Sequence, residues 1–368
     1  MATKKKRILV VFTGGTFGMG PSLEVQNLGS KELKDWLHAQ VPEMNQIAHC
    51  DVQVLYNLDS CHFQAEHWFE LASYLYENLT KKKKYDGAVV LHGTDTLAYS
   101  AAAVSFLLSP SPVPIVFTGA QKPLSTLRND AQLNLISALE VATQAPKALQ
   151  NRTLVAFHDE LYLGSRVRKK SARQFAAFES PRFPTLATIG SEIQYHEIIQ
   201  HLPSIAGKRG SKPTSKKPLL TQFKGASESS PLPQILPLNL TPQFPSSLAE
   251  ASFLETLDGV LLHLYASGTA PTEFAPFQVF LDHAKKLNTP IFAITEREDE
   301  IRSMGTYPSG KLLEKQGVLW CADLTPEAAF VKAWLLRELQ LKLTKSQYYT
   351  WLKKNWAKPL SDEITNGP

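Results

Sequence analysis

Short apolar runs without alternation recur along the first half of the chain, separated by longer stretches with a helical period. Ile8–Phe12, Val52–Leu55, Ala88–Leu91, Ile115–Phe117 and Leu154–Phe157 are such runs, the pattern of strands buried on both faces. Ala65, Trp68, Phe69, Ala72, Leu75, Tyr76 and Leu79 repeat at the helical period within Gln64–Leu79, which predicts an amphipathic helix. The uncharged run Leu97–Leu108 predicts a buried helix, Lys31–Leu37 a short one and residues 127–144 another. Strands alternating with helices imply right-handed crossovers and a parallel sheet. From Leu202 to Pro233 the composition turns to Gly, Ser, Pro and Lys, as in a linker. Beyond it Ile235–Leu240, Val260–Leu264 and Ile291–Ile294 read as strands. Phe277, Phe280, Ala284 and Leu287 mark one helix face, Ala328, Val331, Leu335 and Leu339 another, and Tyr348, Trp351 and Trp356 a last short helix packed back on the body.

The expected fold class is therefore α/β. A larger N-terminal domain, residues 1–202, has a mostly parallel sheet flanked by helices; residues 203–232 form a linker, and residues 233–368 a smaller C-terminal α/β domain. No internal repeat is present. In a parallel sheet all carboxyl ends lie on one side, so polar turns that follow the strands should share one cleft. Four turns qualify: Thr13–Thr16, Asp59–His62, His92–Thr96 and Thr118–Gln121. Gly18–Ser30 and Gly164–Ser180 are the long loops around them.

Composition narrows the setting more than the chemistry. Three cysteines without a Cys-x-x-Cys pair fit a reducing compartment. The first apolar run is too short for a secretory core, and no run reaches the roughly 20 residues of a membrane helix; a cytoplasmic protein with no membrane partner is expected. Net charge is only +5, and the basic clusters Lys4–Arg7, Lys81–Lys84 and Lys208–Lys217 lack interleaved aromatics apart from Tyr85, so no nucleic-acid partner is expected.

Each candidate residue has two readings at this level. Thr16 follows two glycines, which either make a tight turn or let backbone N–H groups approach an anion. Neither a Gly-Lys-Ser/Thr phosphate loop nor a Gly-x-Gly-x-x-Gly fingerprint is present. Asp95, between Thr94 and Thr96, either caps the following helix or carries chemistry. Lys169 and Lys170, with Arg166, Arg168 and Arg173, form a solvated basic loop or supply one lysine to the cleft. His92 is expected to hydrogen-bond within its own turn. No His/carboxylate spacing suggests a metal, and no Gly-x-Ser-x-Gly elbow occurs.

Taken together, Thr13-Gly14-Gly15-Thr16, His92-Gly93-Thr94-Asp95-Thr96, and Thr118-Gly119-Ala120-Gln121 with Leu127-Arg128-Asn129-Asp130 resemble the bacterial L-asparaginase family, on its cytoplasmic type I side. The resemblance runs from about Ile8 to Pro181 and resumes from Asp258 to about Leu341 through Tyr265-Ala266-Ser267-Gly268-Thr269-Ala270-Pro271. It implies hydrolysis of L-asparagine to L-aspartate and ammonia, without cofactor, through an acyl-enzyme. Thr16 would be the nucleophile, and Thr94, Asp95 and Lys169 the second cluster. Lys170 is the competing choice if the loop is shifted by one residue. Asp59 and Ser60 would hold the substrate's α-amino and α-carboxylate ends, with Gly93, Thr94, Asp95 and Ala120 lining the same subsite. A homodimer or homotetramer is implied. The chemistry is coherent: a threonine hydroxyl needs a proton acceptor, and a lysine serves only when neutral, the form that desolvation favours.

Three positions depart from the family pattern. Gly18–Lys34 contains no tyrosine where the family's mobile loop carries one, the corresponding place lying near Gln26. Thr269 stands where asparagine is usual, and His62 where an acid usually follows the serine. A rival enzyme class is the asparaginase-like subunit of a tRNA-dependent amidotransferase, and a rival non-enzyme is an amino-acid-binding paralogue.

Overall fold

A computed structural model describes residues 5–20, 29–203, 217–223, 232–295 and 304–364. Gln26 and most of the 203–232 linker lie outside the described residues. The chain divides into two compact units, residues 1–221 and 222–368.

The first unit is built on an eight-stranded sheet. Its parallel strands are β1 (Arg7–Gly14), β2 (His49–Leu58), β3 (Gly87–Leu91), β4 (Ile115–Thr118) and β5 (Thr153–Phe157). After these come β6 (Glu160–Leu163), a separate two-stranded ribbon of β7 (Arg168–Lys169) and β8 (Phe178–Glu179), then β9 (Ala187–Ile189) and β10 (Ile193–Tyr195). Strands β6, β9 and β10 extend the sheet antiparallel beyond β5. The order is β10-β9-β6-β5-β4-β3-β1-β2, so β1 lies between β2 and β3 and the winding reverses there. A reversal of this kind opens a crevice at the carboxyl ends of the strands.

Among the described residues six α-helices belong to this unit: α1 (Ser30–Gln40), α2 (Met44–Ile47), α3 (Ala65–Tyr76), α4 (Leu97–Leu107), α5 (Ala131–Gln144) and α6 (Ile198–His201). In α3 the residues Trp68, Leu71, Ala72 and Leu75 are buried, as the 3.6 period requires, and a capping box of Gln64 and His67 fixes its start. Every residue of α4 except Tyr99 is buried, which accounts for its lack of charge. Helix α5 starts at Ala131 rather than 127, because the Asp130 carboxylate is engaged by the preceding turn and Leu127 stands fully exposed.

The second unit carries a four-stranded parallel sheet in the order β11 (Ile235–Asn239), β12 (Gly259–Leu264), β13 (Ile291–Thr295), β14 (Leu319–Trp320). Its helices are α7 (Ala251–Glu255), α8 (Ala275–Leu287), α9 (Pro308–Lys315), α10 (Pro326–Leu339) and α11 (Lys345–Asn355). Phe277, Phe280 and Ala284 of α8 are buried with Phe244 in one core. Tyr348 and Trp356 are buried, and the Trp356 indole donates to the Trp320 carbonyl at 2.8 Å. Among the described residues no helix is long and apolar enough to cross a membrane.

Candidate active site

Gly14 at the end of β1 and Gly15 just after it have φ values of 110° and 81°, a region that side chains avoid. A methyl on Gly14 would lie 2.0 Å from the Leu58 carbonyl oxygen, and the Gly15 N–H donates to that oxygen at 2.9 Å. The chain then enters a single helical turn, Thr16–Gly18, with Phe17 buried. The Thr13 hydroxyl donates to the Leu91 carbonyl at 3.1 Å, tying the end of β1 to that of β3.

The other turns close on this one. Gly15 packs against Gly93, and a methyl on Gly93 would meet the Ser60 Cβ and Oγ at 2.6 Å. Ser60 is buried, and its carbonyl accepts from the Thr96 hydroxyl at 2.8 Å. Asp59 accepts from the Cys61 N–H at 3.2 Å, and the Cys61 thiol also hydrogen-bonds its carboxylate. Gly119 packs on the His92 carbonyl, and Ala120 behind it is buried. All four polar turns therefore meet at one place, as the strand order dictates.

Lys169 joins them from β7. The ribbon pairs Lys169 with Phe178, and the Tyr162 hydroxyl donates to the Phe178 carbonyl at 3.0 Å, anchoring the ribbon to β6. From there the Lys169 ammonium donates to Thr94 Oγ1 at 2.7 Å and to Asp95 Oδ1 at 2.6 Å. The lysine side chain is 17% exposed and the Asp95 side chain 64%. Lys170 turns elsewhere, its nearest carboxylate being Glu179 at 3.9 Å; it is Lys169 that reaches the threonine turn.

Two alternatives left open by the sequence are closed here. Asp95 does not cap α4: the N-cap position is Thr96, without a side-chain cap bond, because the Asp95 carboxylate faces Lys169. The 164–180 segment is not a solvated basic loop. It contains the β7–β8 ribbon, and Arg166 is 2% exposed with its guanidinium 4.9 Å from the Phe183 ring centre.

Sequence reasoning did not single out Gln121, Asp130 or Asn134. The Thr94 hydroxyl donates to Gln121 Oε1 at 3.3 Å, while Gln121 Nε2 donates to the Ser171 and Gln174 carbonyls, both at 3.1 Å. One amide thus links the threonine turn to the segment carrying Lys169. The Asp130 carboxylate accepts the N–H groups of Gln121 and Lys122 at 3.0 Å, and Asn134 Nδ2 donates to the Gly119 carbonyl at 2.9 Å. For Gln121 and Asp130 a place in the Thr118–Gln121 and Leu127–Asp130 motifs was the available signal; Asn134 lies outside both. His92 bonds within its turn as expected, and burial lowers its pKa to about 4. Among the described residues no group of three potential ligands could hold a metal.

The sequence and the fold have counterparts in known proteins. Residues 7–200 match the family profile described as "Asparaginase, N-terminal". L-asparaginase 1 of Escherichia coli K12 is 31% identical over 342 residues, covering 92% of this chain and 94% of that protein. The crystal structure of L-asparaginase I from Vibrio cholerae superposes with a TM-score of 0.79 at 30% identity, covering 99% of this chain and 100% of the other. A glutamyl-tRNA(Gln) amidotransferase subunit from Methanococcus maripaludis is 28% identical across 89% of this chain and 75% of its own length. A profile match over more than half of the chain, and a relative at 31% identity aligned nearly end to end, establish that the chain belongs to the asparaginase family.

Proposed function

We propose that this protein is an L-asparaginase, an amidohydrolase that converts L-asparagine to L-aspartate and ammonia through a threonine ester and without a cofactor. The observation that carries the reading is the reach of Lys169 to Thr94 and Asp95, 2.7 and 2.6 Å, on a turn whose Gly93 abuts the Thr16 turn at Gly15. A hydroxyl nucleophile and a lysine-assisted hydroxyl at one crevice are the parts that acyl transfer needs.

In acylation the Thr16 oxygen bonds to the amide carbon, and its proton passes toward the Thr94–Lys169 pair. The tetrahedral intermediate carries its negative charge on the former carbonyl oxygen. Backbone N–H groups of the turns, Thr94 among them, stabilise that charge; one such donor is worth roughly 3–4 kcal/mol. The C–N bond breaks as the proton is returned to nitrogen, and ammonia leaves. Water then attacks the ester carbon and passes a proton through Thr94 to Lys169, which acts as the neutral amine; the C–O bond to Thr16 breaks as that proton is handed on to the Thr16 oxygen, releasing aspartate and the free hydroxyl. Asp95 holds the lysine in reach. Asp59 and Ser60 take the α-amino and α-carboxylate groups, with Gly93 and Ala120 as the walls that exclude larger side chains. Glutamine is one methylene longer, a discrimination of roughly 1–3 kcal/mol by fit alone.

The cytoplasm suits cysteines such as Cys50, Cys61 and Cys321, which form no disulfide among the described residues, and the working form is a homodimer or homotetramer. One observation favours a second reading. The segment Gly18–Lys34 lacks tyrosine, so the protein either activates Thr16 without a phenol or binds the amino acid and does not turn it over. The likeness to an amidotransferase component adds a third outcome, in which ammonia passes to a partner. Ammonia release from asparagine, glutamine and aspartyl amides by the purified chain decides among them. Turnover that vanishes in Thr16→Ala supports the hydrolase, and asparagine binding without ammonia supports the sensor.

A further inference from the structure

His92 closes β3 and opens the turn that carries Thr94. Its ring is 1% exposed and lies against Phe63, with ring centres 4.6 Å apart, and Phe117 at 6.1 Å. Nδ1 sits 2.8 Å from the Gly93 carbonyl oxygen. A carbonyl oxygen only accepts, so the ring carries its proton on Nδ1 and donates it there. Nε2 is then a bare acceptor, and no described residue donates to it. Burial holds the pKa down, to about 4, so this uncharged tautomer persists near neutrality. An apolar side chain would fill the space without leaving a nitrogen unmatched; packing alone does not account for an imidazole here.

The bond acts on a peptide plane. The Gly93–Thr94 peptide is planar and trans, so its N–H points opposite to its C=O. The Gly93 oxygen is drawn toward the buried ring, and the Thr94 N–H leaves on the other side. No described acceptor takes that N–H. Glycine at 93 has no side chain to hold the plane, and its Cα abuts Gly15, next to Thr16.

We infer that His92 is a positioning residue: by donating to the Gly93 carbonyl it fixes the Gly93–Thr94 peptide with the Thr94 N–H aimed at the reacting carbonyl oxygen of the substrate amide. The inference rests on the hydrolase reading above and adds to it a residue that does not itself touch substrate.

Nitrogen-15 spectra of the imidazoles in the full chain test the premise without activity. Nδ1 protonated and Nε2 unprotonated from about pH 6 to 8 is the expected signature, and a proton on Nε2 overturns the inference. Three variants test the consequence. His92→Asn keeps an N–H donor at the Nδ1 position, His92→Gln moves it to the place of Nε2, and His92→Leu removes it. Turnover in the asparagine variant should stay within about tenfold of wild type, while the glutamine and leucine variants lose roughly 10²–10³ in kcat with KM little changed. Equal losses in Asn and Gln variants of matched thermal stability, or a loss confined to KM, overturn it. Should the leucine variant fail to fold, the Asn–Gln comparison and the spectra still decide. A wild-type chain that releases no ammonia overturns the hydrolase reading and this inference with it, and that outcome shows before any variant is compared.

Discussion

Gly15 and Gly93 lie backbone against backbone: a methyl on Gly15 would sit 2.3 Å from the Gly93 Cα and 2.6 Å from its nitrogen. This contact brings the turn after β1 and the turn after β3 close enough for a hydroxyl on one and a lysine-linked hydroxyl on the other to serve a single amide. Gly15→Ala should therefore damage both fold and chemistry. Its φ of 81° with ψ of −177° lies in a region essentially confined to glycine and costs a side chain about 1–3 kcal/mol, and the overlap with Gly93 adds to that. The expected result is a melt lowered by several degrees and ammonia release reduced by more than the unfolded fraction explains. Gly93→Ala should instead displace Ser60 and raise KM. Gly190→Ala is the control, since the nearest atom to a methyl there is 4.0 Å away.

Lys169→Met should abolish turnover, a loss of roughly 10²–10⁴-fold in kcat, with the melt nearly unchanged. The stability argument is that its partner Asp95 is 64% exposed, and ion pairs open to solvent contribute about 0–1 kcal/mol. Lys170→Met should be close to wild type in both measurements. Steady-state ammonia release with a thermal melt checks the pair; a dead Lys170 variant beside an active Lys169 variant would reverse the assignment.

The sheet and the convergence of its turns were legible because unbroken apolar runs mark doubly buried strands. Parallel pairing then leaves no choice about where Thr16, Ser60, Thr94 and Ala120 end up. The antiparallel extension β6-β9-β10 was not legible. Its strands are three or four residues long, too short for a period to register. Lys169 against Lys170 was undecided for a similar reason: a two-residue ribbon sets which lysine faces the cleft, and that register depends on Phe178 and Tyr162 across it. Gln121 stayed hidden because its role lies in three partners distant in sequence, none of which carries a local pattern.

Gln121→Leu keeps the volume of the side chain and removes its three bonds. The Thr94 hydroxyl loses the acceptor that orients it, and the Ser171 and Gln174 carbonyls lose their donor. An unpaired buried carbonyl costs about 1–3 kcal/mol, less where water can reach it. The expected outcome is faster amide exchange across residues 168–179 and a fall in kcat of roughly ten- to a hundredfold. Unchanged exchange with full activity would show that the ribbon holds Lys169 without the amide.

In the second unit, Lys332 on α10 and Glu363 near the end of the chain are both fully buried, Nζ to Oε1 2.8 Å. The lysine also donates to the Lys358 carbonyl at 2.9 Å, and the carboxylate accepts from the Leu360 and Ser361 N–H groups at 2.8 and 2.9 Å. Burial alone would push the Glu363 carboxyl up, but the Lys332 charge and these donors together hold it below its ordinary 4.5. A carboxyl depressed in the folded state stabilises above its unfolded value, and that contribution is lost as pH falls through the folded one. Lys332→Met leaves Glu363 buried without its counter-charge and should cost about 3–5 kcal/mol at neutral pH. The double variant Lys332→Met, Glu363→Leu should cost less than the single one, because no unpaired charge remains. Denaturant melts of the full chain from about pH 7 down to about 3 check the sign. Wild type should lose stability as pH falls below 4.5, the double variant should lose less over the same range, and equal slopes would show that this pair does not set the acid limb.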